Sequence, residues 1–229
     1  MARGYFVTGT DTGVGKTTVA VALIQALRQR GLRVAAMKPV AAGCEWVDGQ
    51  LANADVRALR AAANVDTDPV LVNPYTFEPA IAPHIAAAQV GTEIKLETIT
   101  SAYDALARAA DVVVVEGVGG FRVPLSASLD TADLAQALNL PVVLVVGMRL
   151  GCLNHALLTV EAINHRGLTW AGWVANELDA DMSALAANFD ELKSRLSAPC
   201  LGRMQKNSQS KCLETDEMNY FVMEWFEAL

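Results

Sequence analysis

The feature that most constrains this chain is a glycine-rich segment near the N-terminus, placed between an apolar run and a helical pattern. The apolar run Tyr5–Val7 predicts a short buried strand, and the periodic segment Val19–Leu27 predicts a helix. Between them lies Gly9–Thr18, with the sequence GTDTGVGKTT. A strand, a glycine-rich turn ending in Gly-Lys-Thr and a helix, in that order, are typical of a loop that binds nucleotide phosphates.

The residue types of this loop suit an anion. Glycines let backbone N–H groups curl around a phosphate with no Cβ in the way, and the helix N-terminus adds partial positive charge. Lys16 is placed to reach the β- and γ-phosphates, and the Thr17 hydroxyl to ligate Mg²⁺. The usual motif begins with glycine where Thr10 stands, whereas here the glycine is one residue earlier, at Gly9. The alternative is an ordinary glycine turn with a surface lysine.

Length and composition favour a single globular α/β domain spanning residues 1–229. The chain has 52% hydrophobic and 19% charged residues, so a substantial core is expected and disorder is not. A net charge of −7 argues against a general nucleic-acid binder. The early strand leaves no space for a signal peptide, and no apolar run approaches a membrane-spanning length. We therefore expect no nucleic-acid or membrane partner.

The cysteines and histidines show no metal-binding pattern. The four cysteines are scattered without a Cys-x-x-Cys pair, which is typical of free thiols in a reducing cytoplasm. They are Cys44, Cys152, Cys200 and Cys212. The three histidines have no ligand spacing, so each is first interpreted as a structural or surface residue. We expect a cytoplasmic protein.

Charged residues follow two predicted strands. Lys38 comes directly after Val34–Met37, and Glu116 ends the apolar run that begins at Asp111. Ligands of parallel α/β sheets gather at the carboxyl ends of the strands, so both residues are expected beside the phosphate loop. An acid at such a strand end is suited to holding Mg²⁺. The alternatives are a solvated lysine for Lys38 and a salt-bridged strand end for Glu116.

Further residues extend this candidate site. Asp55 lies in the first turn of a predicted helix over residues 53–63, where it either contacts Mg²⁺ or simply favours the helix dipole. The glycines of Gly117–Gly120 imply backbone that lies close to a ligand. Asn176 ends a predicted strand, and its amide can pair with a purine edge through one donor and one acceptor.

The rest of the chain alternates between strand and helix patterns. Helices are predicted over 83–91, 96–110, 131–138, 153–165, 181–196 and 218–229. Strands are predicted over 141–147, 170–176 and 199–201, and loops over 41–49, 66–83 and 205–211, the second with a possible strand at 70–72. This order predicts one mainly parallel sheet with helices on both faces.

Eight blocks of the sequence resemble the dethiobiotin synthetase family, from the start of the chain to about Gly202. The blocks are Tyr5–Thr17, Lys38–Val40, Asn73–Phe77, Pro83-His84, Val115–Gly120, Pro124-Leu125, Leu150–Ala156 and Ala171–Asn176. The resemblance implies a single-domain P-loop NTPase with a mainly parallel central sheet. It also implies the reaction, in which 7,8-diaminopelargonate takes up CO₂ and ATP drives closure to a cyclic urea, with release of ADP and phosphate.

The resemblance assigns roles to the candidate residues. Lys16 and Lys38 would be catalytic, and Thr17, Asp55 and Glu116 would hold Mg²⁺. The residues around ATP would be Gly13, Val14, Gly15, Lys16, Thr17, Thr18, Asp55, Glu116, Gly117, Val118, Gly119, Asn176, Glu177 and Gln205. The residues around the diamine would be Thr12, Lys38, Ala42, Gly119, Gly151, Cys152, Leu153 and Asn154. Gly151–Asn154 would hold the substrate's carboxylate from the partner subunit of a homodimer.

Two positions depart from the family pattern. Ala42 stands where the family usually has Ser or Thr, which removes a substrate hydrogen bond worth about 0.5–1.5 kcal/mol. Arg203-Met204-Gln205 stands where the family usually has an Ile-Pro-type turn near the adenine. The sequence therefore defines the phosphate site better than the adenine site.

Two other classes of protein share the loop. Partitioning-type ATPases, which act as nucleotide switches through protein partners, carry a lysine five residues before the loop lysine, where this chain has Asp11. Ligases that amidate cofactor precursors usually add a glutaminase domain, for which 229 residues leave no space. Both comparisons favour a small-molecule synthetase.

Overall fold

The computed structural model describes residues 3–179 and 181–205. The closing helix predicted over 218–229, nearly all of the loop predicted over 205–211, and Cys212 lie outside the described residues. Within the described ranges the strands are, in chain order, β1 (Arg3–Gly9), β2 (Val34–Met37), β3 (Val40–Ala41), β4 (Glu45–Val47), β5 (Gln50–Ala52), β6 (Tyr75–Thr76), β7 (Val112–Glu116), β8 (Val142–Met148), β9 (Trp170–Glu177) and β10 (Cys200–Met204).

Helices alternate with these strands along the chain. In the same ranges they are α1 (Lys16–Gln29), α2 (Ala54–Ala62), α3 (Pro69–Val72), α4 (Pro83–Gln89), α5 (Leu96–Ala109), α6 (Thr131–Leu138), α7 (Cys152–His165) and α8 (Leu185–Arg195). None of the helices described is long and apolar enough to cross a bilayer.

Six strands form one parallel sheet in the order β10-β9-β8-β1-β7-β2. The first strand therefore lies inside the sheet. The chain places β7 and β2 on one side of β1 and β8, β9 and β10 on the other, so the order of the strands reverses at this point. Such a point opens a crevice at the carboxyl ends of the strands, where ligands of open α/β sheets bind. The register pairs Val7 of β1 with Glu116 of β7, so the loop after β1 lies beside that carboxylate.

Continuous apolar strands explain why helices cover both faces. Every residue of β7 and β8 is buried, as expected for strands of a parallel sheet packed on both sides. Successive side chains of β7 point to opposite faces: Val113 and Val115 join the cluster that contains α5, whereas Val112 and Val114 join the cluster that contains α1. The predicted fold class is thus confirmed.

The segment predicted as a loop over 41–49 is the largest error of the sequence analysis. Val40–Ala41 forms a strand with Tyr75–Thr76, and β4 and β5 form an antiparallel hairpin. Asp48 and Gly49 join the hairpin with φ angles of 49° and 77°. Two positive φ angles in a two-residue turn are the geometry that Asp-Gly favours, because its twist matches that of the strands.

A second error concerns residues 70–72, which belong to a short helix and not to a strand. The Asp68 side chain accepts a hydrogen bond from Val70 N at 3.0 Å, and Pro69 occupies the first turn. An acidic N-cap followed by proline is a helix start, and it outweighs the β-branched residues that follow. The helix predicted over 181–196 begins later than expected, at Leu185, and the strand predicted over 199–201 extends to Met204. The loop predicted over 66–83 also contains the strand β6, which was not predicted. The other predicted elements within the described residues are confirmed to within a few residues.

A buried threonine fastens the glycine-rich loop that follows β7. Thr131, at the start of α6, is 1% exposed. Its hydroxyl donates to Phe121 O at 2.6 Å and accepts from Val123 N at 2.9 Å. A buried backbone group that loses its partner costs about 1–3 kcal/mol.

We expect Thr131→Val, which keeps the shape and removes the hydroxyl, to lower the free energy of unfolding by about 1–3 kcal/mol in denaturant titrations. Thr131→Ser should restore most of this loss. The control is Thr159→Val, whose hydroxyl only caps a carbonyl within its own helix, with an expected change of about 0.5 kcal/mol or less. Equal losses for the two valine variants would contradict this account.

Candidate active site

The phosphate loop joins β1 to α1 in the predicted arrangement. Gly15 precedes the helix with φ at 89°, and a Cβ there would overlap the side-chain amide of Asn176. Glycine is therefore required at this position for two reasons, backbone conformation and space. Lys16 begins the helix, is 6% exposed and donates from Nζ to Asp11 O at 2.9 Å.

A compact group of charges lies beside this loop. Lys38 Nζ donates to Glu116 Oε1 at 2.6 Å and to Asp55 Oδ2 at 2.8 Å. Thr17 Oγ1 donates to the same Glu116 oxygen at 3.0 Å. The carboxyl ends of β2 and β7, the first turn of α2 and the start of α1 thus meet at one point. Lys38 is neither a solvated lysine nor remote from the loop.

Burial and neighbouring charges shift the pKa values of the two lysines differently. Burial and the nearby Lys38 ammonium lower the pKa of Lys16, its acidic neighbours oppose them with Glu116 foremost, and the net pKa is about 8. Burial also disfavours the Lys38 ammonium, but Glu116 and Asp55 outweigh this effect and the net pKa of Lys38 is raised. Lys38 is therefore charged in the site at neutral pH.

The two carboxylates also differ. Burial raises the pKa of Glu116 above its ordinary value, against the attraction of Lys38. Burial acts on Asp55 in the same direction, but Asp55 is more exposed and the Lys38 charge leaves its pKa lowered. Added positive charge at this point would favour the ionised form of both acids.

One cavity of about 350 Å³ collects most of the predicted residues. Its lining consists of Thr12, Gly13, Gly15, Lys16, Thr17, Thr18, Lys38, Ala42, Asp55, Glu116, Val118 and Gly119. Residues from the phosphate loop, from the ends of two strands and from the glycine-rich loop after β7 therefore share one space, although they are up to about a hundred positions apart in sequence.

Other predicted residues do not line this cavity. Val14 is buried, and its carbonyl accepts a hydrogen bond from Asn176 Nδ2 at 2.9 Å. Asn176 thus supports the phosphate loop from behind, and Glu177 forms an ion pair with Arg203. Gly117 and the exposed Gln205 also lie outside the lining.

The segment Gly151–Asn154 lies outside this cavity as well. The Cys152 side chain is 1% exposed and packs in the core, so only its backbone could contact a ligand. Gly151 precedes α7 with φ at 96° and supplies no side-chain cap. Within a single subunit, this segment does not face the phosphate loop's cavity.

The donor set of the cavity fits a hard divalent cation. Thr17 and Glu116 are joined by a hydrogen bond, and both Glu116 and Asp55 contact the same lysine nitrogen. Glu116 Oε2 is buried and has no hydrogen-bond partner in the described part of the chain. A hydroxyl and two carboxylates are oxygen ligands of the type that Mg²⁺ prefers, and nucleotide phosphates usually complete such a site.

The sequence analysis missed one contact at the loop. Arg149, directly after β8, forms an ion pair with Asp11. Asp11 had been noted only because a lysine is absent there. The rule that ligands gather at strand ends could have drawn attention to Arg149, because β8 lies next to β1 in the sheet.

The fold and site define the class of protein. A glycine-rich phosphate loop between the first strand and helix of a parallel sheet, with an acidic residue at the end of the adjacent strand, makes this chain a P-loop NTPase. A family profile described as "AAA domain" matches residues 3–212.

Curated relatives define the family more closely. The ATP-dependent dethiobiotin synthetase BioD of Aromatoleum aromaticum is 55% identical over 200 residues, which cover 87% of this chain and 89% of that protein. The protein of the same name from Xanthomonas euvesicatoria is 52% identical with the same coverage. The chain belongs to the ATP-dependent dethiobiotin synthetase family.

Solved structures show similarity at the level of the fold. A plasmid partition protein of Borrelia burgdorferi bound to AMPPNP superposes with a TM-score of 0.58 at 12% identity, covering all of this chain and 99% of that one. A ParA family ATPase from Chlorobium tepidum gives 0.54 at 14% identity, covering all of this chain and 92% of that one. The arrangement of the sheet is shared with these proteins.

We expect Asn176→Asp to weaken the binding of ATP analogues by about tenfold, because a carboxylate cannot donate to the Val14 carbonyl and repels it. Isothermal titration calorimetry would measure this change. Asn188→Asp is the matched control, because Asn188 donates to a helix carbonyl on the exposed surface. If Asn176→Asp bound nucleotide as well as the control variant, the supporting contact would have no role in shaping the loop.

Proposed function

We propose that this chain is an ATP-dependent dethiobiotin synthetase that closes 7,8-diaminopelargonate and CO₂ into a cyclic urea. The observation that carries the proposal is the single cavity that unites Lys16, Lys38 and the two carboxylates with Thr12. Membership of the family, at up to 55% identity to the relatives described, supports the same reaction.

The proposed chemistry has three steps. One amine of the substrate adds CO₂ to form a carbamate. A carbamate oxygen then attacks the γ-phosphorus of ATP, and ADP leaves. Finally the second amine attacks the carbamate carbon and expels phosphate, which closes the ring. The second step develops charge on the transferred phosphoryl group, so nearby cations should accelerate it.

Lys16 and Lys38 are the cations suited to that step. Both are nearly buried, which strengthens their attraction for an anion relative to exposed lysines. In the structure Lys16 donates to Asp11 O, and Lys38 donates to the two carboxylates. We propose that phosphates compete for these ammonium groups when ATP enters.

Thr17, Asp55 and Glu116 would hold Mg²⁺ in the nucleotide complex. Bound there, the cation would neutralise charge on the phosphates. The unpartnered Glu116 Oε2 supports this assignment, because a buried carboxylate oxygen without a donor is costly unless a ligand satisfies it. Asp55 and Glu116, once engaged by a cation, would leave Lys38 to the transferred group.

The substrate amines would lie between Thr12, Ala42 and Gly119 at the edge of the cavity. A Cβ added at Gly119 would lie 3.5 Å from Thr12 Oγ1, so the two loops pack closely there. Ala42 offers no hydroxyl, and affinity for the diamine is expected to be lower by about 0.5–1.5 kcal/mol than with Ser.

The alternative function is a partitioning-type switch that acts through protein partners. It is favoured by the shared sheet of the solved structures, but those are only 12–14% identical and carry the fold alone. Asp11, at the position of the switch lysine, forms an ion pair within the chain. The synthetase is therefore the better supported function.

We expect phosphate release from ATP to require the diamine, bicarbonate and Mg²⁺ together. The assay compares the complete mixture with mixtures lacking one component, and detects the cyclic product by mass spectrometry. Release that is equally fast without the diamine, or that DNA stimulates, would contradict the synthetase and favour the switch.

We expect Lys16→Gln to lower turnover by orders of magnitude, because a cation on the transferred phosphoryl group acts mainly on the transition state. Lys38→Gln should reduce kcat more than it weakens ATP binding, measured by steady-state kinetics and calorimetry. Lys193→Gln, a surface lysine near Phe189, is the matched control. Near-normal turnover in Lys38→Gln would remove Lys38 from the mechanism.

We further propose a cytoplasmic homodimer with sites near its interface. Buried thiols at Cys44 and Cys152, neither of them in a disulfide, suit a reducing compartment. Leu150 and Leu158 are 95% and 57% exposed, and such apolar side chains on one segment are typical of an interface. The uncapped N-terminus of α7, beside them, favours an anion such as the substrate carboxylate.

A mixed dimer tests whether sites are shared between subunits. We expect Lys16→Gln and Asn154→Ala each to impair activity, and a purified dimer of one chain of each to recover towards half of wild type. If Asn154 serves the partner's loop, one site of that dimer has both lesions and the other has neither. No recovery, with subunit exchange verified, would place both residues in the same site.

A further inference from the structure

Asp11 is the residue of the phosphate loop that the proposed reaction leaves without a role. One of its carboxylate oxygens accepts from Thr12 N at 2.7 Å, and the other pairs with Arg149. Its carbonyl oxygen accepts from Lys16 Nζ at 2.9 Å. Asp11 is therefore held on three sides, and its charge lies next to a residue that lines the nucleotide cavity.

Arg149 reaches Asp11 from a fixed position. It follows β8 directly, and its carbonyl accepts from Cys152 N at 3.0 Å where α7 begins. Two backbone contacts fasten the loop to the same strand: Thr10 N donates to Val145 O at 3.0 Å, and Gly147 N donates to Thr10 Oγ1 at 3.3 Å. Because β8 pairs with β1, the Arg149 guanidinium lies beside Asp11.

We propose that Arg149 is a positioning residue for nucleotide binding, which acts by holding and neutralising the carboxylate of Asp11. The proposal rests on the proposed function of this loop as the ATP site. ATP brings several negative charges to a loop in which the Asp11 carboxylate is also negative. These like charges repel one another. The arginine removes that repulsion and keeps the carboxylate on Thr12 N.

The solvent exposure of the Arg149–Asp11 ion pair determines how much it contributes to folding stability. The Arg149 and Asp11 side chains are 41% and 46% exposed, so the ion pair by itself contributes little to folding. Its consequence should therefore be found in nucleotide affinity and not in stability. This separates the proposal from an ordinary surface ion pair, for which neither quantity changes much.

The two single variants have different expected effects. Arg149→Met leaves Asp11 unpaired beside the phosphates, so the Kd for a non-hydrolysable ATP analogue with Mg²⁺ should rise by about three- to tenfold. Asp11→Asn leaves a free arginine near the phosphates, so affinity should stay the same or increase. In the double variant, loss of the acid should restore most of the affinity lost in Arg149→Met.

Calorimetry on the four proteins of this cycle tests the proposal, with thermal melts to establish that each is folded. Arg149→Lys should retain most of the affinity, because it keeps the charge. Arg195→Met is the matched control, since Arg195 forms an ion pair of similar exposure with Glu191 on the surface of α8. Its Kd should equal that of wild type.

Two results would overturn the proposal: an unchanged Kd in Arg149→Met, or a double variant no better than Arg149→Met. The second would show that the pair matters only as a structural contact. Neither depends on the diamine reaction. A chain that bound ATP with the expected pattern but formed no cyclic product would contradict the proposed function and leave the role of Arg149 intact.

Discussion

The buried carboxylate of Glu116 is the constraint on which the site depends. At 1% exposure, an ionised carboxylate is costly unless a cation and hydrogen bonds compensate for it. Lys38 provides the cation and Thr17 a hydrogen bond, so β2, β7 and α1 must all end or begin at this point. Asp55 completes the arrangement from α2. The sheet order is therefore tied to the chemistry at its carboxyl edge.

An anion that entered the cavity would change the pKa values of its charged side chains. Two ammonium groups share a small space, and burial together with the neighbouring Lys38 charge holds the pKa of Lys16 at about 8. A phosphate would favour the charged form of both lysines. Burial raises the pKa of Glu116, and a divalent cation beside its carboxylate would oppose that effect. Lys38 is paired with two carboxylates and Lys16 with a backbone carbonyl, and we propose that the substrates replace these partners.

Local patterns predicted most of the fold and the centre of the site. The loop sequence and the apolar run ending in Glu116 are each readable within about ten residues, and the carboxyl-end rule then placed Lys38 beside them. Two errors had local signals that were overlooked, namely Asp48-Gly49 for the hairpin and Asp68-Pro69 for α3. The contact of Arg149 with Asp11, in contrast, had no local signal in the sequence. It spans 138 positions and exists only because β8 pairs with β1, so no local pattern could specify it.

The fold alone does not distinguish a synthetase from a partitioning ATPase, since both use the same sheet. The distinction lies in which charges stand at the loop. A lysine at position 11 would add a cation to the phosphate loop. This chain has an acid there, whose charge Arg149 balances, so the pair adds no net charge. The cations left to act on a phosphoryl group are Lys16 and Lys38, and both line the same cavity as Thr12 and Ala42. The two lysines that we propose to act on the γ-phosphoryl group therefore lie in the cavity that we propose for the small acceptor, as the synthetase reaction requires.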